Sequence, residues 1–363
     1  MPINFDRLRT GGAFDGPLAQ NALPPLPLLR ELSPGDHVGA FRIARELSRG
    51  GMGVVYLAER DDGEFAQRVA LKWMSGARDR DVAEPLFRRE RDILASLEHP
   101  GIARLIDGGR EADDMLWFAM EYVEGEAIDA WCEQRQLPAQ QRVGLVIALC
   151  DALAFAHQRL LIHRDIKPAN VLVGKDGRVR LLDFGIARLA DQRDLLGGRA
   201  LTPGFASPEQ WSGDEVTVAS DVYQTGLLLA RVLGVIGPAA DGTHATRAGT
   251  GEVPGVQPAE LPESRLARHG KEMAAILRCA TALRPEARYG SIVALADDLR
   301  RWRERRPVLA MHGGLLYRTR CRLRRHPVVS ILTAVSLIGL LALGWRLNVE
   351  RRTAEMEAER ALA

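Results

Sequence analysis

From Phe41 onward the apolar positions fall first into short runs and later into longer helical periods. Phe41–Leu47, Gly53–Ala58 and Arg68–Trp73 are short apolar runs set off by polar or glycine-bearing breaks, and predict three strands. Val82–Leu97 follows, with Leu86, Ile93, Leu94 and Leu97 at mixed three- and four-residue steps, and predicts a helix. A further strand pair is expected around Ile102–Ile106 and Leu116–Tyr122, after which Arg142–His157 and Val222–Leu233 are the clearest helices. Strands first and helices later predict an α+β chain, a small β-rich lobe joined to a larger helical one. Residues 1–35 show no sustained period, carry Gly11-Gly12 and Pro24-Pro25-Leu26-Pro27, and are expected to form a flexible tail.

The far end has a different pattern. Residues 307–327 form a basic linker containing Arg318, Arg320, Arg322, Arg324 and Arg325. Val328–Trp345 is uncharged and mainly apolar. As a helix rising ~1.5 Å per residue it would cover about 27 Å, close to the ~30 Å of a bilayer core. Arginines flank it at both ends, with more before it than after, where Arg346, Arg351 and Arg352 stand. The expectation is a single transmembrane helix over 328–345 in the cell inner (plasma) membrane, with the preceding block cytoplasmic. Residues 346–363, rich in Ala, Glu and Arg, should form a short extracytoplasmic helical tail.

Charge narrows the function classes. The chain of 363 residues carries 49 basic and 47 acidic groups, a net +2, so no global basic field calls for nucleic acid. Only four of the basic residues are lysines, Lys72, Lys167, Lys175 and Lys271. A chain that uses Arg almost everywhere needs a reason wherever it keeps Lys. Cys132, Cys150, Cys279 and Cys321 match no metal or redox spacing and suit a reducing compartment. The first residues show no basic stretch followed by an apolar run, so no signal peptide is expected.

Four strings carry chemistry. Leu47-Ser-Arg-Gly-Gly-Met-Gly-Val-Val-Tyr56 places Gly50, Gly51 and Gly53 in a turn between two strands, where backbone N–H groups can approach a phosphate. Val69-Ala-Leu-Lys72 puts a lysine on an apolar strand, a costly position unless paired, and Glu90 on the following helix is its natural partner. Ile162-His-Arg-Asp-Ile-Lys-Pro-Ala-Asn-Val-Leu-Val173 and Leu182-Asp-Phe-Gly185 supply Asp165, Asn170 and Asp183, hard oxygen groups of the kind Mg²⁺ shares with phosphates.

With these strings in this order, the chain resembles the eukaryotic-type protein kinase family over roughly Phe41–Arg306. Ser207-Pro-Glu209, Asp221 and Arg288 extend the match, and Ser48, where the glycine pattern has its first Gly, is its one mild departure. The chain looks like the bacterial membrane-anchored serine/threonine kinases. The resemblance implies a bilobal protein-kinase fold over 36–306, with ATP and Mg²⁺ as cofactors and protein Ser/Thr hydroxyls as substrates; a homodimer is a further partner state it allows. Asp165 would accept the substrate proton, and Lys167 would neutralise the γ-phosphoryl group. Lys72, held by Glu90, would grip the α- and β-phosphates, and Asn170 and Asp183 would hold Mg²⁺. Leu47, Ser48, Gly50, Gly51 and Gly53 would cover the nucleotide. Val55, Ala70 and Leu172 would sandwich the adenine, Met120 would gate the back pocket, and the backbone of Glu121 and Val123 would read the adenine edge. Glu209 and Arg288 would form a buried ion pair, Asp221 would anchor the catalytic loop, and Leu94, Leu105, His163 and Phe184 would stack between the lobes.

Two of the four lysines fall on positions 72 and 167, where a compact ammonium suits this chemistry better than a planar guanidinium. Lys167 and Thr202 match a Ser/Thr rather than a Tyr substrate class. An intact Lys72, Asp165 and Asp183 weigh against a nucleotide-sensing scaffold, and Ser207-Pro-Glu209 against a small-molecule phosphotransferase. Between Ile186 and Leu201 there is no Ser, Thr or Tyr to phosphorylate. One of Asp191 and Asp194 is therefore expected to stand in for a phosphate as the carboxylate partner of Arg164.

Overall fold

The alternation of the early strands builds a sheet with two unlike faces. The computed structural model describes residues 31–50, 53–75, 91–92, 94–111, 115–183, 204–237, 261–311, 335–336, 338–349 and 351. Strands β1 (His37–Val38), β2 (Phe41–Gly50), β3 (Gly53–Arg60), β4 (Arg68–Ser75), β5 (Leu105–Arg110) and β6 (Met115–Glu121) form an antiparallel sheet in the order β1-β2-β3-β4-β6-β5. One face buries Phe41, Ile43, Tyr56, Leu71 and Trp73 in a core of its own. From the other face Met74, Leu116, Phe118 and Met120 join the large core of the helical lobe. Each such side chain, fully buried, contributes about 1.5–3 kcal/mol.

The register Val55↔Lys72↔Phe118 and Leu57↔Ala70↔Met120 puts Ala70 and Lys72 on the face turned to the helical lobe. The β2–β3 hairpin narrows to the pair Gly50↔Gly53. Gly53 has φ +139, and a Cβ there would lie 2.2 Å from the Trp73 carbonyl oxygen, so no larger residue fits.

The second lobe contains a small sheet of β7 (Gly125–Ala127), β8 (Val171–Gly174) and β9 (Val179–Leu181) and seven described helices. These are α1 (Ile128–Gln134), α2 (Ala139–His157), α3 (Pro208–Ser212), α4 (Val218–Val232), α5 (Glu263–Leu266), α6 (Gly270–Ala280) and α7 (Ile292–Arg303). Helix α2 is long and apolar enough to cross a membrane, but its Val143, Val146, Leu149, Cys150 and Leu153 lie in the core of this lobe. Helix α4 is buried at every position from Ser220 to Val232, and Thr217 caps it by accepting from the Ala219 N–H.

Several boundaries differ from the sequence reading. The strand expected at Ile102–Ile106 is β5, Leu105–Arg110. The backbone before it is used elsewhere: Ala103 N–H donates to the Leu181 carbonyl and Leu181 N–H to the Gly101 carbonyl, which ties this stretch to β9. Helices α2 and α4 each start earlier than expected, after Pro138 and Thr217 respectively. The chain also does not leave the lobe at Arg306. Val308 is buried, and Asp298, fully buried on α7, accepts from the N–H groups of Leu309 (2.7 Å) and Ala310 (2.8 Å) and from the Tyr289 hydroxyl (3.0 Å).

Of the expected helix Val82–Leu97, residues 76–90 and 93 lie outside the described residues; Arg91–Asp92 and Leu94–Ala95 are helical. The tail 1–30, the linker from 312, the first part of the apolar run and the segment 352–363 also lie outside them. The described end of the apolar run belongs to helix α8 (Ile338–Val349), where Ile338, Leu340, Leu341, Leu343 and Trp345 are all exposed.

Candidate active site

Strand register and loop anchoring bring the expected groups together between the lobes. Lys72 is buried on β4, and its Nζ lies 3.1 Å from Asp183 Oδ2. That pair joins two residues far apart in sequence and closes the cleft from the sheet side. Glu90, the expected partner of Lys72, lies outside the described residues, as do Gly51, Phe184, Asp191, Asp194 and Thr202.

On the helical side, Asp165 sits in a loop that leads into a single 3₁₀ turn, Pro168–Asn170. Lys167 Nζ lies 2.8 Å from Asp165 Oδ2. Asn170 donates from Nδ2 to Asp165 Oδ2 (3.0 Å) and to the Asp165 carbonyl (2.7 Å). The amide nitrogen of Asn170 is thereby committed, and its Oδ1 is the atom left to meet a cation. Two donors, Lys167 and Asn170, thus converge on Asp165 Oδ2.

The loop is held by buried groups behind it. Asp221, fully buried on α4, accepts from His163 N–H (2.8 Å), Arg164 N–H (2.8 Å) and His157 Nε2 (2.7 Å). His163 Nε2 lies 2.8 Å from the Leu182 carbonyl, which ties this loop to the segment carrying Asp183. Arg164 (φ +71) and Asp183 (φ +58) both adopt left-handed backbone conformations that non-glycine residues rarely hold. Such strain costs on the order of 1–3 kcal/mol and persists only where the surroundings over-determine it.

The expected adenine walls share one trait. Val55, Ala70 and Leu172 are half-buried, while their chain neighbours Val54, Tyr56, Val69, Leu71, Val171 and Val173 are buried, so the former line a cleft. Leu47 is half-buried and Ser48 exposed at the mouth of the hairpin. Met120 closes a small apolar recess with Leu94, Leu97, Ile102 and Leu105 beside Asp183. Glu121 N–H donates to the Arg104 carbonyl, and Val123 follows just past β6.

Below the loop, Arg288 grips Glu209 through two bonds of 2.7 and 2.8 Å and also donates to the carbonyls of Ala219, Ala282 and Leu283. Burial alone would raise the Glu209 carboxyl. The Arg288 guanidinium and the Ser220 hydroxyl outweigh it and hold the group at about 2. Sequence reasoning missed three supports of the loop: His157, Gln210 and Gln224. The available signal for Gln224 was its place three residues after Asp221, on the same face of a helix.

Among the described residues no group of three His, Cys, Asp or Glu converges on one point as a metal site would. The donors present are one amide oxygen and one carboxylate, Asn170 and Asp183. That set fits a hard cation that completes its shell with water and phosphate oxygens.

Comparison with known proteins agrees. The family described as protein kinase domain matches residues 41–297. The chain is 38% identical over 210 residues to the serine/threonine-protein kinase pkn2 of Myxococcus xanthus, covering 54% of this chain and 24% of that protein. It is 35% identical over 273 residues to the serine/threonine-protein kinase PknJ of Mycobacterium tuberculosis, covering 73% of this chain and 45% of that protein. The crystal structure of the Mycobacterium tuberculosis PknI kinase domain superposes with a TM-score of 0.56 at 30% identity, covering 75% of this chain and 99% of that domain. The chain thus spans less than half the length of the curated relatives it matches. The bilobal fold, the cleft between its lobes and this match together place the chain in the protein kinase family, among the serine/threonine kinases.

Proposed function

We propose that this chain is an active serine/threonine protein kinase that transfers the γ-phosphoryl group of Mg-ATP to protein hydroxyls. The observation that carries the reading is the convergence of Lys72 with Asp183, a pair that joins the two lobes, and of Lys167 and Asn170 on Asp165 within the second lobe. The Asp165 carboxylate takes the proton of the incoming Ser or Thr hydroxyl. Lys167, already beside Asp165, faces the charge that builds on the transferring group. Lys72 holds the nucleotide phosphates against the sheet. Asn170 Oδ1 and the carboxylate of Asp183 would hold the metal ion, which would supply positive charge to neutralise the phosphate oxygens. Val55, Ala70 and Leu172 present apolar surface to the base.

The kinase domain runs from 36, as in the sequence reading, to at least Ala310 rather than 306, with a basic linker between it and the apolar run. We assign 328–345 as a membrane span with the kinase on the cytoplasmic side. The all-round exposure of apolar side chains on α8 supports this, since lipid solvates such a surface and water does not. The arginine excess before the run supports the orientation.

The test is to incubate the purified protein with Mg-ATP and a generic protein substrate and to identify the phosphorylated residue. Phosphoserine or phosphothreonine that disappears in Asp165→Asn is the expected result. Nucleotide binding without transfer would replace this reading with a nucleotide-sensing scaffold.

A further inference from the structure

Gln224 lies on α4 one turn after Asp221 and is 2% exposed. A buried primary amide must find partners for an oxygen and two N–H groups. Gln224 spends all of them on the active-site side of the helix. Its Oε1 accepts from Ile166 N–H (2.9 Å), and its Nε2 donates to the Arg164 carbonyl (2.9 Å) and to Gln210 Oε1 (2.8 Å). Gln210, on α3, donates from Nε2 to the same Arg164 carbonyl (2.7 Å), and its Oε1 accepts from Ser207 N–H (2.9 Å) and the Ser207 hydroxyl (3.2 Å).

Asp165 stands between the two backbone groups that Gln224 pins, the carbonyl of Arg164 and the N–H of Ile166. Asp221 already fixes the N–H groups of His163 and Arg164. The two α4 side chains together fix both peptide planes around a residue whose φ is +71. Gln210 then joins this loop to the helix that starts at Ser207-Pro-Glu209, the part of the chain held by Arg288.

We propose that Gln224 and Gln210 are positioning residues that couple the catalytic loop to the Ser207–Ser212 segment, so that the base Asp165 and the protein-substrate platform are set as one unit. The proposal rests on the kinase reading above, and turnover by the unaltered chain tests that reading first. The bonds that both glutamines make among the described residues go to the catalytic loop, to Ser207 and to each other. Their loss should therefore act on phosphoryl transfer to protein and spare ATP binding.

The test is steady-state kinetics on Gln224→Met, Gln210→Ala and the double variant Gln210→Ala with Gln224→Met. Each is checked by thermal melting and by the Kd for Mg-ATP. The expected result is a fall in kcat of ~10- to 100-fold for Gln224→Met, the scale of a small misplacement of a catalytic group. The Kd for ATP should stay within twofold. The double variant should lose less than the product of the two single losses, because both amides act on the one Arg164 carbonyl. Three results would overturn the proposal. These are a folded Gln224→Met with wild-type kcat, single losses that multiply in the double variant, and a weakening of ATP binding equal to the loss of kcat. Should Gln224→Met fail to fold, Gln210→Ala on the half-buried partner decides alone. A drop in kcat with unchanged ATP affinity supports the coupling, and unchanged kcat sinks it.

Discussion

The two lobes deliver their catalytic groups by different physical means. Lys72 arrives by strand register, fixed by the ladder that pairs it with Val55 on one side and Phe118 on the other. Many backbone bonds share that work, and no single side chain decides it. Asp165 arrives on a loop outside any sheet, where a handful of buried polar side chains do the holding. The lesson is about vulnerability. A side-chain exchange remote from the cleft should leave Lys72 in place, whereas the same exchange behind the loop should reach Asp165.

The largest effect should come from the groups themselves, and it measures both lobes on one scale. Lys72→Met and Asp183→Asn each remove one partner of the 3.1 Å pair and a group acting on phosphate or metal charge. Phosphoryl transfer should fall by ~10²–10³-fold or more, with the fold retained. The measurement is initial rate together with circular dichroism, with contaminating kinases excluded by a parallel mock purification. Near-normal activity in either variant would break the assignment of the cleft.

Next in size is the ion pair under the loop. Arg288→Ala would leave Glu209 buried without its cation, a change that typically costs about 3–5 kcal/mol. At roughly 2–4 °C per kcal/mol for a domain of this size, the melting temperature should drop by on the order of 10 °C. The pair also has a pH signature. The Glu209 carboxyl is held at about 2, below its ordinary 4.5, so its ionised form is favoured by folding. Its contribution is complete above 4.5 and is lost as pH falls from there toward 2. Melting curves of the intact protein should decline through that window, and Arg288→Ala should decline less steeply.

These contrasts explain what could be read in advance. The motif strings singled out Lys72, Asp165, Asn170 and Asp183, and the structure pairs Lys72 with Asp183 and Asn170 with Asp165. The sheet was legible because alternation separates its two faces: Tyr56 and Leu71 pack on one, Val55 and Lys72 face the other. The supports of the catalytic loop were not legible. Gln224 stands in the apolar run of α4, where periodicity registers only a polar interruption, and its partners are backbone groups that any sequence possesses. The edge of β5 was misplaced for a related reason. Its neighbours bond across to β9, a pairing that no local pattern encodes. The partners of the buried Asp298, Leu309, Ala310 and Tyr289, are likewise mostly backbone groups that leave no mark in the sequence.

A smaller effect on catalysis is expected from cutting the chain after Arg325. Every catalytic group precedes that point, and the lobe keeps the residues up to Ala310 that Asp298 holds. The truncated protein should be soluble without detergent and retain activity within about twofold, while the full chain should fractionate with membranes. Recovery of the full chain in the soluble fraction would remove the membrane span. Protease outside intact cells should spare the kinase domain, and its cleavage there would reverse the topology.

The smallest effect concerns Arg164, whose backbone the two glutamines and Asp221 hold while its charge precedes Asp165. No hydroxyl lies between Ile186 and Leu201, and a phosphate on Thr202 would crowd the incoming substrate hydroxyl. Asp191 and Asp194 are the acids this segment offers. A carboxylate carries less charge than a phosphate, so its removal should change the rate only a few-fold. The experiment is to treat the purified kinase with a phosphatase, verify by mass spectrometry that it carries no phosphate, and measure its rate. Retained activity that falls in the Asp191→Ala plus Asp194→Ala variant is the expected outcome. Activity that is lost on treatment and returns with phosphate on Thr202 would overturn it. Because the loop behind Arg164 is fixed by buried groups rather than by this charge, neither the phosphatase treatment nor the double variant should alter the melting temperature. That separates a loop ordered from outside by charge from one anchored from within.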